Sequence, residues 1–140
     1  MELPKIKYYA LIERRIVPID DVMQWARWFE AARRSDATRI GCDEVGGLLV
    51  LTIFLGFDHG FVPFDGSRPI LFETMVFAQT DDPKDRANWH AEDMYRYRTI
   101  EEAEAGHAAI VESLRRHEQD AIESTQALLA LVRQEVRGER

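Results

Sequence analysis

The chain has little of several things: one cysteine, five prolines, four histidines and eight glycines in 140 residues. A lone Cys42 cannot close an internal disulfide, which excludes a disulfide-stapled scaffold and predicts a reducing compartment. It also stands beside Asp43 and Glu44, an acidic setting that argues against a nucleophilic thiol. No apolar run is long enough to span a bilayer or serve as a signal sequence, so no membrane association is expected. Basic residues are in deficit, 18 against 25 acidic, for a net charge of −7. That balance disfavours a phosphate-binding surface, and no direct nucleic-acid partner is expected. GxGxxG, P-loop, HExxH, CxxC-pair and serine-nucleophile-elbow signatures of the kind that mark nucleotide, zinc and hydrolase sites are all missing, and no cofactor is expected.

What is present is a well-stocked core, with 46% of residues hydrophobic in a length suited to one domain. The centre of the chain, residues 48–78, holds two apolar runs around a segment rich in turn formers. Gly60, Pro63, Asp65, Gly66, Ser67 and Pro69 fall in that segment, so the runs read as a hairpin. Each run is apolar on both alternating faces, which asks for cover on both sides of a sheet. That cover is expected from a helix or from another subunit.

Upstream, KIKYYALI at residues 5–12 favours an extended strand, broken by Glu13, Arg14 and Arg15. Asp20 and Asp21 offer a helix cap, and Val22, Trp25, Phe29 and Ala32 recur at helical spacing to near Ser35. Trp28 lies off that stripe and is a candidate partner-contact residue. Residues 38–45 read as a short strand, and Gly46 with Gly47 as a tight turn. Residues 79–93 read as a polar loop and residues 94–98, MYRYR, as a last strand.

Thr99 and Glu102 form a capping box that opens the strongest helical signal in the chain. Ala103, His107, Ile110, Leu114, His117, Ala121, Ser124, Leu128 and Leu131 follow at alternating four- and three-residue steps. Gly106 within this helix implies a close contact. A continuous helix to Val136 would extend about 55 Å, against a radius of gyration of about 14 Å for a compact chain of this size. The helix therefore either folds back near residue 118 or projects to a partner. Ile122, Leu128, Leu129, Leu131 and Val132 make the far segment apolar, and self-association through it is expected. The predicted fold is α+β: an antiparallel sheet of four or five strands with an N-terminal crossover helix and a long C-terminal helix, in the order β-α-β-β-β-(β)-α. Residues 1–119 are assigned to the α+β domain and residues 120–140 to a helical extension.

Asp58, His59, Glu73 and His107 are the polar residues that could carry chemistry, as general acids or bases, with Asp58, His59 and His107 as candidate metal ligands. Each has a quieter explanation. Asp58 ahead of Gly60 suits a turn, His59 the same loop, and His107 a helix seam; Glu73 inside an apolar strand calls for a partner such as Arg96 or Arg98. His107 and His117 stand almost 80° apart around a helix, a poor alignment for one metal.

LGFDHGF at residues 55–61, PILFETMVF at 69–77 and RYRTIEEAEAGHAAIVE at 96–112 resemble a family of small uncharacterised proteins encoded by bacteriophages and prophages. Its pattern runs LGLDHxF, PxLFETMVFG and RYxTWxEAxxGH, from which this chain departs at Phe57, Ala78 and Ile100. The resemblance covers roughly residues 48–115. It implies a phage origin and a bacterial cytoplasmic or virion setting, and no reaction. The expectation is a small interaction protein that binds a host or phage protein and self-associates. Inhibition of a host defence protein is one version, suggested by the acidic charge together with the resemblance. The alternatives are an enzyme or metal-binding protein built on the four polar residues, and a virion or tail component.

Overall fold

The computed structural model describes residues 7–58, 68–78 and 91–138. The first strand, β1 (Tyr8–Ile12), does not stop at the charged residues after it but turns on them. Glu13 and Arg14 both take positive φ, 50° and 67°, and reverse the chain into β2 (Arg15–Ile19). Two left-handed residues in succession are what a two-residue hairpin needs, usually supplied by Asn and Gly, which is why the sequence reads as a break instead. The two strands form a sheet of their own.

Helix α1 (Val22–Arg34) follows, capped as its sequence implies: the Asp21 side chain accepts from the backbone amides of Met23 and Gln24 at 2.9 and 3.2 Å. Trp25 donates its indole N–H to the Tyr9 carbonyl at 2.8 Å and stacks on Phe29 with centroids 5.0 Å apart, fastening α1 to β1. Trp28, the candidate partner contact, is half-buried, with its ring edge-on to Phe54 at 6.1 Å and packed against the core. Gly56, at φ +83°, lies against the same rings; a Cβ there would stand 2.8 Å from Trp25.

The main sheet comprises β3 (Arg39–Val45), β4 (Leu48–Phe54), β5 (Phe72–Ala78) and β6 (Ala91–Tyr97), antiparallel in that order. The α+β class and the antiparallel order are as the sequence predicts, with the β2 strand in addition. Gly46, at φ +58°, turns β3 into β4. Register pairs Thr52 with Thr74 and Phe54 with Phe72, so even-numbered residues of β4 and β5 share one face. A bulge at Ile40 then brings Gly41, Asp43 and Val45 of β3 onto that face.

The last helix, α2 (Ile100–Arg137), is one unbroken element capped by Thr99, whose hydroxyl accepts from the Glu102 amide at 3.1 Å, and ended by left-handed Gly138. Its first part crosses all four strands on the even face. Ile100 and Ala103 meet Phe54, Leu71 and Phe72 in one cluster, and Val111 meets Val45 and Val50 in another. Gly106 passes directly against the Tyr97 ring, the close contact that its presence in a helix implies. Beyond Leu114 every residue to 138 is exposed, so the helix projects instead of folding back. No described helix or strand lies over the sheet's other face, formed by Cys42, Leu49, Leu51, Ile53, Glu73, Met75, Met94 and their neighbours.

Candidate functional site

The polar centre of the molecule is on the covered face, where the helix meets the sheet. Thr52 and Thr74 stand opposite each other on β4 and β5, both fully buried, with their hydroxyl oxygens 2.5 Å apart. Thr52 Oγ1 lies 2.7 Å from Nδ1 of His107 on α2, and Nε2 of His107 lies 2.7 Å from Oδ2 of Asp43 on β3. Asp43 as a carboxylate can only accept, so Nε2 donates to it; in the neutral imidazole Nδ1 then accepts from Thr52, and Thr52 accepts from Thr74. Every polar atom of this chain of contacts is thereby satisfied. Gly41 makes room for the ring, since a Cβ at that position would lie 2.8 Å from Nε2.

The order hydroxyl, imidazole, carboxylate is the one nucleophilic hydrolases use. Here the hydroxyl is at the closed end. Thr52 has no exposed surface, so no substrate carbonyl can reach Oγ1, and the arrangement serves to fasten α2 across β3, β4 and β5. Only the Asp43 end opens outward, into a shallow groove of about 470 Å³ lined by Asp43, His107, Val111, Glu112, Arg115 and Gln119. Arg115 approaches the second oxygen of Asp43 at 3.9 Å.

The residues singled out from the sequence are placed apart. Glu73 is 7% exposed on the opposite face of the sheet from His107, and Arg96 across the strand pair approaches it at 3.4 Å. Asp58 accepts from the Ile70 backbone amide at 2.8 Å, a loop-fixing role; its charge and burial together hold the Tyr9 phenol above its ordinary value, burial contributing most. His59 lies outside the described residues. Glu73 and His107 are therefore not brought together, and among the described residues no group of three or more His, Cys, Asp or Glu side chains could hold a metal ion.

Sequence reasoning missed Asp43, Thr52 and Thr74. The available signal was the pair of threonines inside otherwise apolar runs, because a buried hydroxyl needs a partner as much as a buried carboxylate does.

The second polar-apolar boundary is along the projecting part of α2. Ile122, Leu128, Leu129, Leu131, Val132 and Val136 are between 45% and 82% exposed there. No helix of the described residues is long and apolar enough to cross a membrane. Compared with known protein families, with curated proteins and with solved structures, the chain matches none.

Proposed function

We propose that this is a small interaction protein, phage-derived as the motif resemblance implies, that acts by protein–protein contact and self-associates through the projecting part of α2. The observation that carries the reading is the run of exposed helix from residue 115 to residue 138, apolar along one side. Helices in proteins draw most of their stability from packing an amphipathic face, and an exposed aliphatic side of this extent marks an interaction surface. The acidic net charge supports a protein partner over a nucleic acid. The buried hydroxyl at Thr52 supports the same choice over catalysis.

The test is sedimentation of the full chain over a wide concentration range, beside a Leu128→Glu/Val132→Glu variant. The reading expects an oligomer that the variant abolishes while its circular dichroism stays native. A wild-type monomer at all concentrations removes the ground for self-association.

A further inference from the structure

The side of α2 that packs on the sheet runs on into the exposed part of the helix. His107, Val111 and Leu114 face the strands and are buried or half-buried there. Steps of seven residues from Val111 lead to Glu118, Thr125 and Val132, and each such step turns an ideal helix by only about 20°. Ile122, Leu129 and Val136, four residues beyond each of these, complete a seam of alternating three- and four-residue steps with Leu128 at its edge. The five large aliphatic side chains of the seam are 45% to 82% exposed, and Leu131 lies off it. Thr125 adds no unpaired hydroxyl, because it donates to the Ala121 carbonyl at 2.9 Å.

Two boundaries limit the seam. At one end Glu118 lies over the turn from β3 to β4, where a Cβ on Gly46 would stand 3.4 Å from its Oε1. At the other the helix closes after Arg137 on left-handed Gly138. A second copy's helix laid against the seam in the same direction would run back past Glu118 into the space that the first copy's sheet fills, because sheet and seam share one side of α2. In the opposite direction it stops at Gly138, where that sheet begins, and its own sheet lies past the end of the first helix. We infer that two copies pair the projecting parts of α2 antiparallel, about a twofold axis near Ala127. Ile122 of each then packs beside Val132 of the other, Leu129 beside Thr125, and Val136 beside Glu118. This rests on the self-association proposed above and specifies its orientation and register.

The charges agree with this direction. Residues 117–126 carry Glu118, Asp120 and Glu123 with no lysine or arginine, whereas residues 127–137 carry Arg133 and Arg137 against Glu135. Antiparallel pairing sets the acidic stretch beside the net basic one; parallel pairing would set three acidic side chains beside their own copies. At roughly 80 Å² for each half-exposed aliphatic side chain, the five on each seam supply on the order of 400 Å². Both helices, with the stems of the polar side chains that flank the seam, reach about 1,000 Å², the low end for a specific interface, so the pair is expected to separate on dilution.

The test attaches a spin label to the full chain through Glu112→Cys or through Gln126→Cys, both exposed positions of α2, in a Cys42→Ser background. Label-to-label distances are measured by dipolar spectroscopy, with sedimentation of the same samples. Each residue away from the axis adds about 3 Å between equivalent positions, so antiparallel pairing expects dimers with labels about 45 Å apart at position 112 and under about 25 Å at position 126. Dimers with the short distance at both positions would mean parallel helices; self-association through α2 would stand and the antiparallel inference would be overturned. Dimers with long distances at both positions, or monomers at every concentration, would overturn the two together.

Discussion

His107 Nε2 and Asp43 Oδ2 stand 2.7 Å apart, one on the long helix and the other on the edge strand of the sheet. This contact, continued inward through Thr52 and Thr74, sets where the helix sits and therefore where its projecting part begins. Its energetic weight lies at the buried end.

Replacing Thr52 with Val removes the hydroxyl between His107 and Thr74 and leaves each with one bond fewer in a dry interior. The expected loss is about 1–3 kcal/mol. Asp43→Ala, at the exposed end, should cost less, about 1 kcal/mol or below. Denaturant unfolding of the two variants checks the order; an Asp43 effect larger than the Thr52 effect would contradict a relay anchored from within.

Gly106 should behave against its helix propensity. Alanine in an exposed helix is favoured over glycine by about 1 kcal/mol, yet a Cβ here would overlap the Tyr97 ring. Gly106→Ala is expected to destabilise by about 1–3 kcal/mol in the natural background and to stabilise once Tyr97→Ala has removed the ring. Thermal unfolding of the single and double variants shows whether the sign reverses.

The hairpin turn at Glu13 and Arg14 uses two side chains that disfavour positive φ. Glu13→Asn supplies a residue that tolerates it, and should raise stability by up to about 1 kcal/mol. An unchanged or lowered unfolding midpoint would mean that the backbone there carries no avoidable cost.

Arg14 reaches from that turn to Glu104 on α2, with one of its two hydrogen bonds at 3.2 Å. The hydrogen bond from Arg14 holds the Glu104 carboxyl below its ordinary value. A depressed carboxyl stabilises the folded chain above the ordinary glutamate range, and that contribution is lost as pH falls through the depressed value. Carboxyl NMR should find the Glu104 midpoint low in the natural chain and ordinary in Arg14→Gln. No difference between the two would show that the pair is not held in solution.

Much of this architecture is legible in the residues themselves. The Thr99 and Asp21 caps, the Gly46 turn, the central hairpin and the Glu73–Arg96 pair each follow from local chemistry: an oxygen for orphan amides, a left-handed glycine, a buried charge needing a countercharge. The β2 strand was hidden because Glu13 and Arg14 are poor turn formers whose conformation is imposed by the strands around them. The His107 site was half visible. The imidazole stood out, but its partners Asp43 and Thr52 lie 64 and 55 residues away, and only the sheet register and the bulge at Ile40 bring them to one face. Whether the long helix would bend was open in the sequence, because the polar run around Arg116 and Asp120 suits a break or a solvated surface equally well. Strong capping at both ends and an absence of proline favour the unbroken form.

The central claim is that the projecting part of α2 is covered by another protein surface, and amide hydrogen exchange of residues 115–138 tests it most directly. The account predicts that protection there approaches that of residues 100–114 and falls as the protein is diluted. Exchange at the rate of a free, fraying helix, unchanged from the lowest to the highest concentration, would contradict it.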